Sequence, residues 1–338
     1  MGSVFRYSLS FIVLCATFAS ARAAAEDIAF DDYSPLSSNA EIARRMLTPL
    51  SYRRMQPHFS ELREQAIDLS KEKFALRVPS GAAPAKGYGL IVFIAPWKEA
   101  TVPRDWPRVL DRYGLIFVSA ADSGNDAGIL ERRVPLALLG YENVRRRYPL
   151  DADRVYVGGL SGGSRVALRV ALAYPDVFRG AVLNAGSDPI GEGQVFVPPA
   201  DLFRRFQEST RLVFVTGQRD EMNLHGDAVS RTSLQNRCVF GLSTETMPRR
   251  GHEIADPAGL AAALKDLDKP AQVDAEKLAE CRARLQGELD ADVAKATAAI
   301  DGGDRTAAAK AIDAIDLRYG GMTARAIDVL QGRFAPQR

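Results

Sequence analysis

A serine hydroxyl attacks a carbonyl when a neutral imidazole takes its proton and a carboxylate holds that imidazole in the productive tautomer. The chain offers a candidate of each type. In "RVYVGGLSGGSRVALRVALAYPD", residues 154–176, Ser161 stands among four glycines, and Gly159-Leu160-Ser161-Gly162-Gly163 reads GxSxG. Asp220 follows "RLVFVTGQR", and His252 lies in "MPRRGHEIADPAG". An apolar run ends at Gly158 and a helical pattern opens a few residues later, which predicts a strand, a tight turn at the serine and a helix. Side chains two residues from Ser161 would collide where strand and helix cross, and glycine removes the collision. Such a turn lifts the hydroxyl above the carboxyl edge of a sheet, with the Gly162 N–H directed at an oxyanion near the helix start.

The elements that must position these residues are legible as apolar runs. "GLIVFIAP", "GLIFVSA", "RVYVGG", "GAVLNAG", "RLVFVTG" and "CVFGLSTETMP" are rich in Val, Ile and Phe and read as strands, with "FALRV" as an outer one. The first five are too continuously apolar for a sheet wet on one side, so they predict a mostly parallel sheet flanked by helices. Helical patterns in "ERRVPLALLGYENVRRRYP", "SRVALRVALAYPD" and "PAGLAAALKDLD" supply the alternation of an α/β domain.

Ser161, Asp220 and His252 each follow a strand, in the chain order used by α/β-hydrolases. From about residue 65 to 270 the chain resembles that superfamily. Within it, "GLSGGSRVALRVALAYPDVFRGAVLNAG" is most similar to secreted esterases related to polyhydroxybutyrate depolymerases and feruloyl esterases. The resemblance implies Ser161 as nucleophile, His252 as general base and Asp220 as the group orienting the imidazole. His58 precedes the predicted core, and His225 follows Asp220 too closely for the base loop. Asp188 in "NAGSDP" is an alternative acid, and Glu221 and Asp227 stand near Asp220. The resemblance also implies an oxyanion hole built from Gly162 and the loop after "LIVFIAP". Lipases and many esterases carry a His-Gly motif there, whereas this chain has Ala95-Pro96-Trp97. Proline has no N–H, which leaves Trp97 as the second donor. Its ring could equally cap the core or wall an acyl or aromatic group.

Composition bounds the remaining possibilities. The first 23 residues join Arg6, a short apolar run and an Ala21-Arg22-Ala23 site, the layout of a secretory signal peptide. The apolar run is shorter than the roughly 20 residues a membrane span needs. Without those residues the chain carries 42 basic and 42 acidic side chains, a balance that argues against a nucleic-acid partner. Cys238 and Cys281 remain, and an oxidising compartment permits a bridge between them, with two buried thiols as the alternative. Neither metal-ligand spacing nor a phosphate loop is present, so no cofactor is inferred. Lys98, Arg165, Arg249 and Arg250 read as a solvated rim of the site or as a cationic mouth for an anionic substrate.

The expected organisation is a signal peptide over 1–23, an N-terminal segment over 24–64, an α/β-hydrolase domain over 65–270 and a three-helix extension over 271–338. In the extension, Ala308, Ile312 and Ile315 share a face that packs on the core or docks a partner. The expected function is hydrolysis of a small-molecule or polymeric carboxylic ester by a secreted or periplasmic serine esterase. A serine peptidase of the same fold is the first rival. A catalytically silent hydrolase fold that binds a partner through its helical tail is the second.

Overall fold

Runs of Val, Ile, Leu and Phe become strands because β-branched and aromatic side chains pack well on a pleated surface. In the computed structural model, which describes residues 26–191, 193, 195–270 and 273–334, eight strands, most of them such runs, form one sheet. They are β1 (Glu26–Ile28), β2 (Phe74–Arg77), β3 (Tyr88–Ile94), β4 (Leu115–Ala120), β5 (Leu150–Leu160), β6 (Gly180–Asn184), β7 (Arg211–Gly217) and β8 (Leu242–Met247). Their spatial order is β1-β2-β4-β3-β5-β6-β7-β8. From β4 across to β8 every pair is parallel, and β1 and β2 extend the β4 edge antiparallel. The mostly parallel sheet flanked by helices is therefore the architecture the chain adopts.

Both faces of β3, β4 and β6 are dry, and the side chains part between them with period two. In β3, Leu90, Val92 and Ile94 enter one apolar cluster while Ile91 and Phe93 enter another. In β4, Ile116 and Val118 separate from Leu115 and Phe117 in the same way. Each full burial of such a side chain stabilises by roughly 1.5–3 kcal/mol, so helices must cover both faces. Side chains of α1 (Asn39–Met46), α4 (Val134–Arg147), α5 (Gly162–Ala173) and α6 (Ala200–Ser209) join the first cluster, and those of α3 (Pro107–Tyr113) and α8 (Pro257–Leu267) join the second. α7 (Glu221–Asn236) follows β7, and its Leu234 joins the first cluster. Because β3 to β8 run in parallel, the loops after β3, β4, β5, β6, β7 and β8 all emerge at one edge of the sheet. In an open α/β sheet that edge is where ligands bind.

The described part of the N-terminal segment, residues 26–64, packs against the sheet. Glu26–Ile28 adds β1 to the edge, Phe30 packs its ring 4.7 Å from that of Phe74, and Arg45 in α1 pairs with Asp176 at 2.7 Å. A three-residue strand, "EDI", has no alternation for a sequence reading to find.

The C-terminal extension forms α9 (Ala275–Asp301), α10 (Arg305–Tyr319) and α11 (Ala324–Phe334), with Asp274 and Asp304 capping the first two. Leu278, Leu285, Leu289, Ile312, Ile315, Ile327 and Leu330 form a third cluster with Leu50 of α2 (Pro49–Met55) and Cys238. Ala308, Ile312 and Ile315 are all buried, so this face packs within the molecule. Cys238 and Cys281 form a disulfide with their Cα atoms 5.6 Å apart. Among the described residues no helix is long and apolar enough to cross a membrane. The signal-peptide reading of residues 1–23 lies outside the described residues.

Candidate active site

Ser161 sits between the end of β5 and the start of α5 with φ 55° and ψ −120°, a backbone conformation that side chains other than hydrogen disfavour. Such a residue costs about 1–3 kcal/mol and persists only where its surroundings fix it. Here its N–H donates to Asn184 O at 2.9 Å, and its carbonyl accepts from Arg165 N at 3.2 Å. The glycines answer to close backbone contacts. A Cβ on Gly159 would lie 2.5 Å from Gly163 O and 2.7 Å from Ile94 O, and one on Gly163 would overlap Ile94 O. The motif is spaced as it is because β3, β5 and α5 touch through bare backbone at these positions.

His252 and Asp220 reach Ser161 from the loops after β8 and β7. Ser161 Oγ lies 3.0 Å from His252 Nε2, and His252 Nδ1 lies 2.7 Å from Asp220 Oδ2. The carboxylate is buried, while the imidazole is 46% exposed and accessible from solvent. Asp220 is also the N-cap of α7, and the Asn223 side chain donates to both of its oxygens at 2.9 Å. Burial is the largest influence on the Asp220 carboxyl and pushes its pKa up, but the bonds from His252 and Asn223 prevail and hold it below the ordinary carboxylate range. The histidine loop is fixed by Asn184, whose Oδ1 accepts from Ala255 N at 2.6 Å and whose Nδ2 donates to Glu253 O at 3.2 Å. Trp106 Nε1 donates to Ala255 O at 2.8 Å and ties the same loop to the start of α3.

The alternative acids are engaged elsewhere. Asp188 pairs with Arg169 at 2.7 Å and Arg165 at 3.4 Å. Asp227 accepts from Ser187 Oγ and Thr216 Oγ1, both at 2.6 Å, and Glu221 is exposed. His58 lies at the surface beside Glu61, and His225 is exposed on α7. Three of the four rim cations are paired: Lys98 with Asp126, Arg165 with Asp188, and Arg250 with Glu253 and Asp256. These pairings favour the solvated rim over a bare cationic mouth.

The loops after β3 and β4 lie beside the serine turn, at Gly162 and Gly163. Gly162 opens α5, so its N–H is one of the donors that no carbonyl of the helix can take up. Trp97 is half-buried against the second apolar cluster, with its ring 6.5 Å from that of Phe93. The β4 loop is stapled to this segment: Asp122 N donates to Lys98 O at 2.6 Å and Asn125 N to Pro96 O at 3.0 Å. Beneath them lies Arg133, 4% exposed, at the end of a π-helical turn (Ile129–Arg133). It donates to Ser123 O at 2.8 Å and Ala95 O at 3.1 Å. Burial, aided by the Arg169 charge, pulls its guanidinium down to about 10. Asn125, Arg133, Asn184 and Asn223 escape a sequence reading. Of these, Asn184 leaves a trace, a polar side chain ending an apolar strand.

No family model matches the chain, and no curated protein matches it. Solved structures do. LpqC, a poly(3-hydroxybutyrate) depolymerase from Bordetella parapertussis, is 16% identical over 62% of this chain and 88% of its own, with a TM-score of 0.42. A thermostable esterase is 15% identical over 53% of this chain and 51% of its own (TM-score 0.39), and an acylaminoacyl peptidase is 13% identical over 61% and 41% (TM-score 0.45). The match thus spans about half of that esterase and less than half of that peptidase. By its own strand order, and by the serine turn between β5 and α5, the chain has the α/β-hydrolase fold.

Proposed function

We propose that the protein is a serine hydrolase that cleaves carboxylic esters through an acyl-enzyme on Ser161. The observation that carries this reading is the continuous hydrogen-bonded path from Ser161 Oγ through His252 to Asp220, set on a strained turn. As His252 Nε2 takes the proton, Ser161 Oγ bonds to the substrate carbonyl carbon. The Asp220 carboxylate stabilises the resulting imidazolium and keeps Nδ1 protonated. Charge gathers on the carbonyl oxygen, where the N–H groups of Gly162 and Trp97 receive it. Collapse expels the alcohol, which leaves with the proton from His252. Water, activated by the same imidazole, then attacks the acyl-serine and releases the acid.

The protein acts in the periplasm or outside the cell after loss of residues 1–23. The N-terminal pattern supports this, as does the Cys238–Cys281 bridge, a bond typical of oxidising compartments. The ester preference rests on the sequence resemblance, supported by an imidazole open to solvent and a tail packed on α2, α6 and the far end of α7. A panel of acyl esters of graded chain length, feruloyl esters and polyesters, run beside peptide anilides, tests it. Turnover of esters with none of anilides is expected. Comparable turnover of anilides would make the protein a peptidase, and no turnover of either class would leave a binding module.

A further inference from the structure

We propose that Asn125 is a third oxyanion donor, its side-chain amide acting beside the N–H groups of Gly162 and Trp97. This rests on the serine-hydrolase reading of the same site. The observation is the contact between the β4 loop and the serine turn. A Cβ on Gly162 would overlap Asn125 Oδ1 and lie 2.8 Å from its Cγ and 3.2 Å from its Nδ2. The Asn125 carboxamide therefore lies against Gly162 with its oxygen nearest, and a half-turn about its terminal torsion presents the Nδ2 donor there instead. On the other side of the loop, a Cβ on Gly124 would lie 3.0 Å from the carbonyl of Trp97. The β4 loop thus touches both residues expected to donate, Gly162 and Trp97.

The carboxamide is exposed and has no hydrogen-bond partner among the described residues, yet the backbone that carries it is held. Asn125 N is bonded to Pro96 O, and Arg133 grips Ser123 O and Ala95 O from below. A held backbone with an unpaired donor at the side-chain tip, beside a developing negative charge, can supply one further hydrogen bond in the transition state. A Cβ at 162 would displace the Asn125 carboxamide from this place. Donation is needed when the carbonyl oxygen becomes an anion, so the contribution belongs to kcat more than to KM.

The test uses Asn125→Ala and Asn125→Asp in the full-length mature protein, with the best ester of the panel and a boronic acid as tetrahedral mimic. For Asn125→Ala, kcat should fall about 100-fold, the typical effect of losing one oxyanion donor, with KM within about twofold and the thermal midpoint unchanged. Affinity for the boronic acid should fall in parallel. Asn125→Asp should be slower still, because its carboxylate repels the oxyanion. Gly162→Ala should cost much less in the Asn125→Ala background than in the parent, because the overlap is gone. A kcat within about twofold of the parent, a loss confined to KM with boronic-acid affinity intact, or additive losses at 125 and 162 would each overturn the proposal. If the parent protein itself turns over no ester and takes no serine-directed label, the functional reading fails and this one with it; an active parent with fully active Asn125 variants sinks this one alone.

Discussion

Asp220 joins two roles in one side chain, as N-cap of α7 and as acceptor of the His252 Nδ1 proton. Its depressed pKa has a definite sign: the stability it contributes is present above the unfolded-state value and is lost as pH falls through the lower folded-state value. Asn caps a helix as well as Asp does, so Asp220→Asn should keep the fold. The amide nonetheless favours the wrong imidazole tautomer, and kcat should fall about 10⁴-fold. Asp188→Asn should stay within a few-fold of the parent per folded molecule, because its carboxylate is turned toward Arg165 and Arg169. Steady-state kinetics with saturating ester compares the two, and the reverse ranking would move the acid to the end of β6.

The strands and the serine turn are legible in sequence because their causes are local. A strand buried on both faces shows as an unbroken apolar run, and a turn pressed against neighbouring backbone shows as glycine at set intervals. Asp220 and His252 are legible because each follows such a run. The groups that hold the site act between distant loops and leave little local trace. Asn184 reaches Ala255 across 71 residues, and Arg133 reaches Ala95 across 38. Asp227 belongs with them, a buried carboxyl joining Ser187 after β6 to Thr216 in β7. Burial raises its pKa above the ordinary value despite those two hydroxyl bonds. A raised pKa contributes stability below the unfolded-state value, and that contribution is lost as pH rises through the folded-state value. Asn does not titrate, so the melting temperature of Asp227→Asn minus that of the parent should grow more positive from about pH 4 to about pH 8. A difference that is flat or shrinks over that range would contradict the linkage.

At the scale of the whole molecule, the candidate-site edge and the helical tail are anchored at opposite ends of α7. Asp220 caps its start, and Cys238, just past its end, is bonded to Cys281 in α9. Sixteen helical residues separate these points by about 24 Å. The 43-residue separation closed by the disulfide gives roughly 4 kcal/mol of stability in the chain-entropy model. Cys281→Ser should therefore move the urea midpoint down while leaving kcat on esters within about twofold, since the site lies a helix length away. Two titratable thiols in the non-reduced native protein would remove the bridge. The presence of the tail helices was legible from composition, whereas their seat on α2 and α6 depends on tertiary contacts such as Leu50 N to Asp316 Oδ1 at 3.0 Å and Arg282 to Glu208 at 2.9 Å. The most direct test of the whole is intact-mass and peptide mapping of the protein after a serine-directed phosphonate. One equivalent on Ser161 is expected, with labelling and ester turnover both abolished in Ser161→Ala at an unchanged thermal midpoint. A label on another residue, or an alanine variant that hydrolyses its ester at the parent rate, would contradict it.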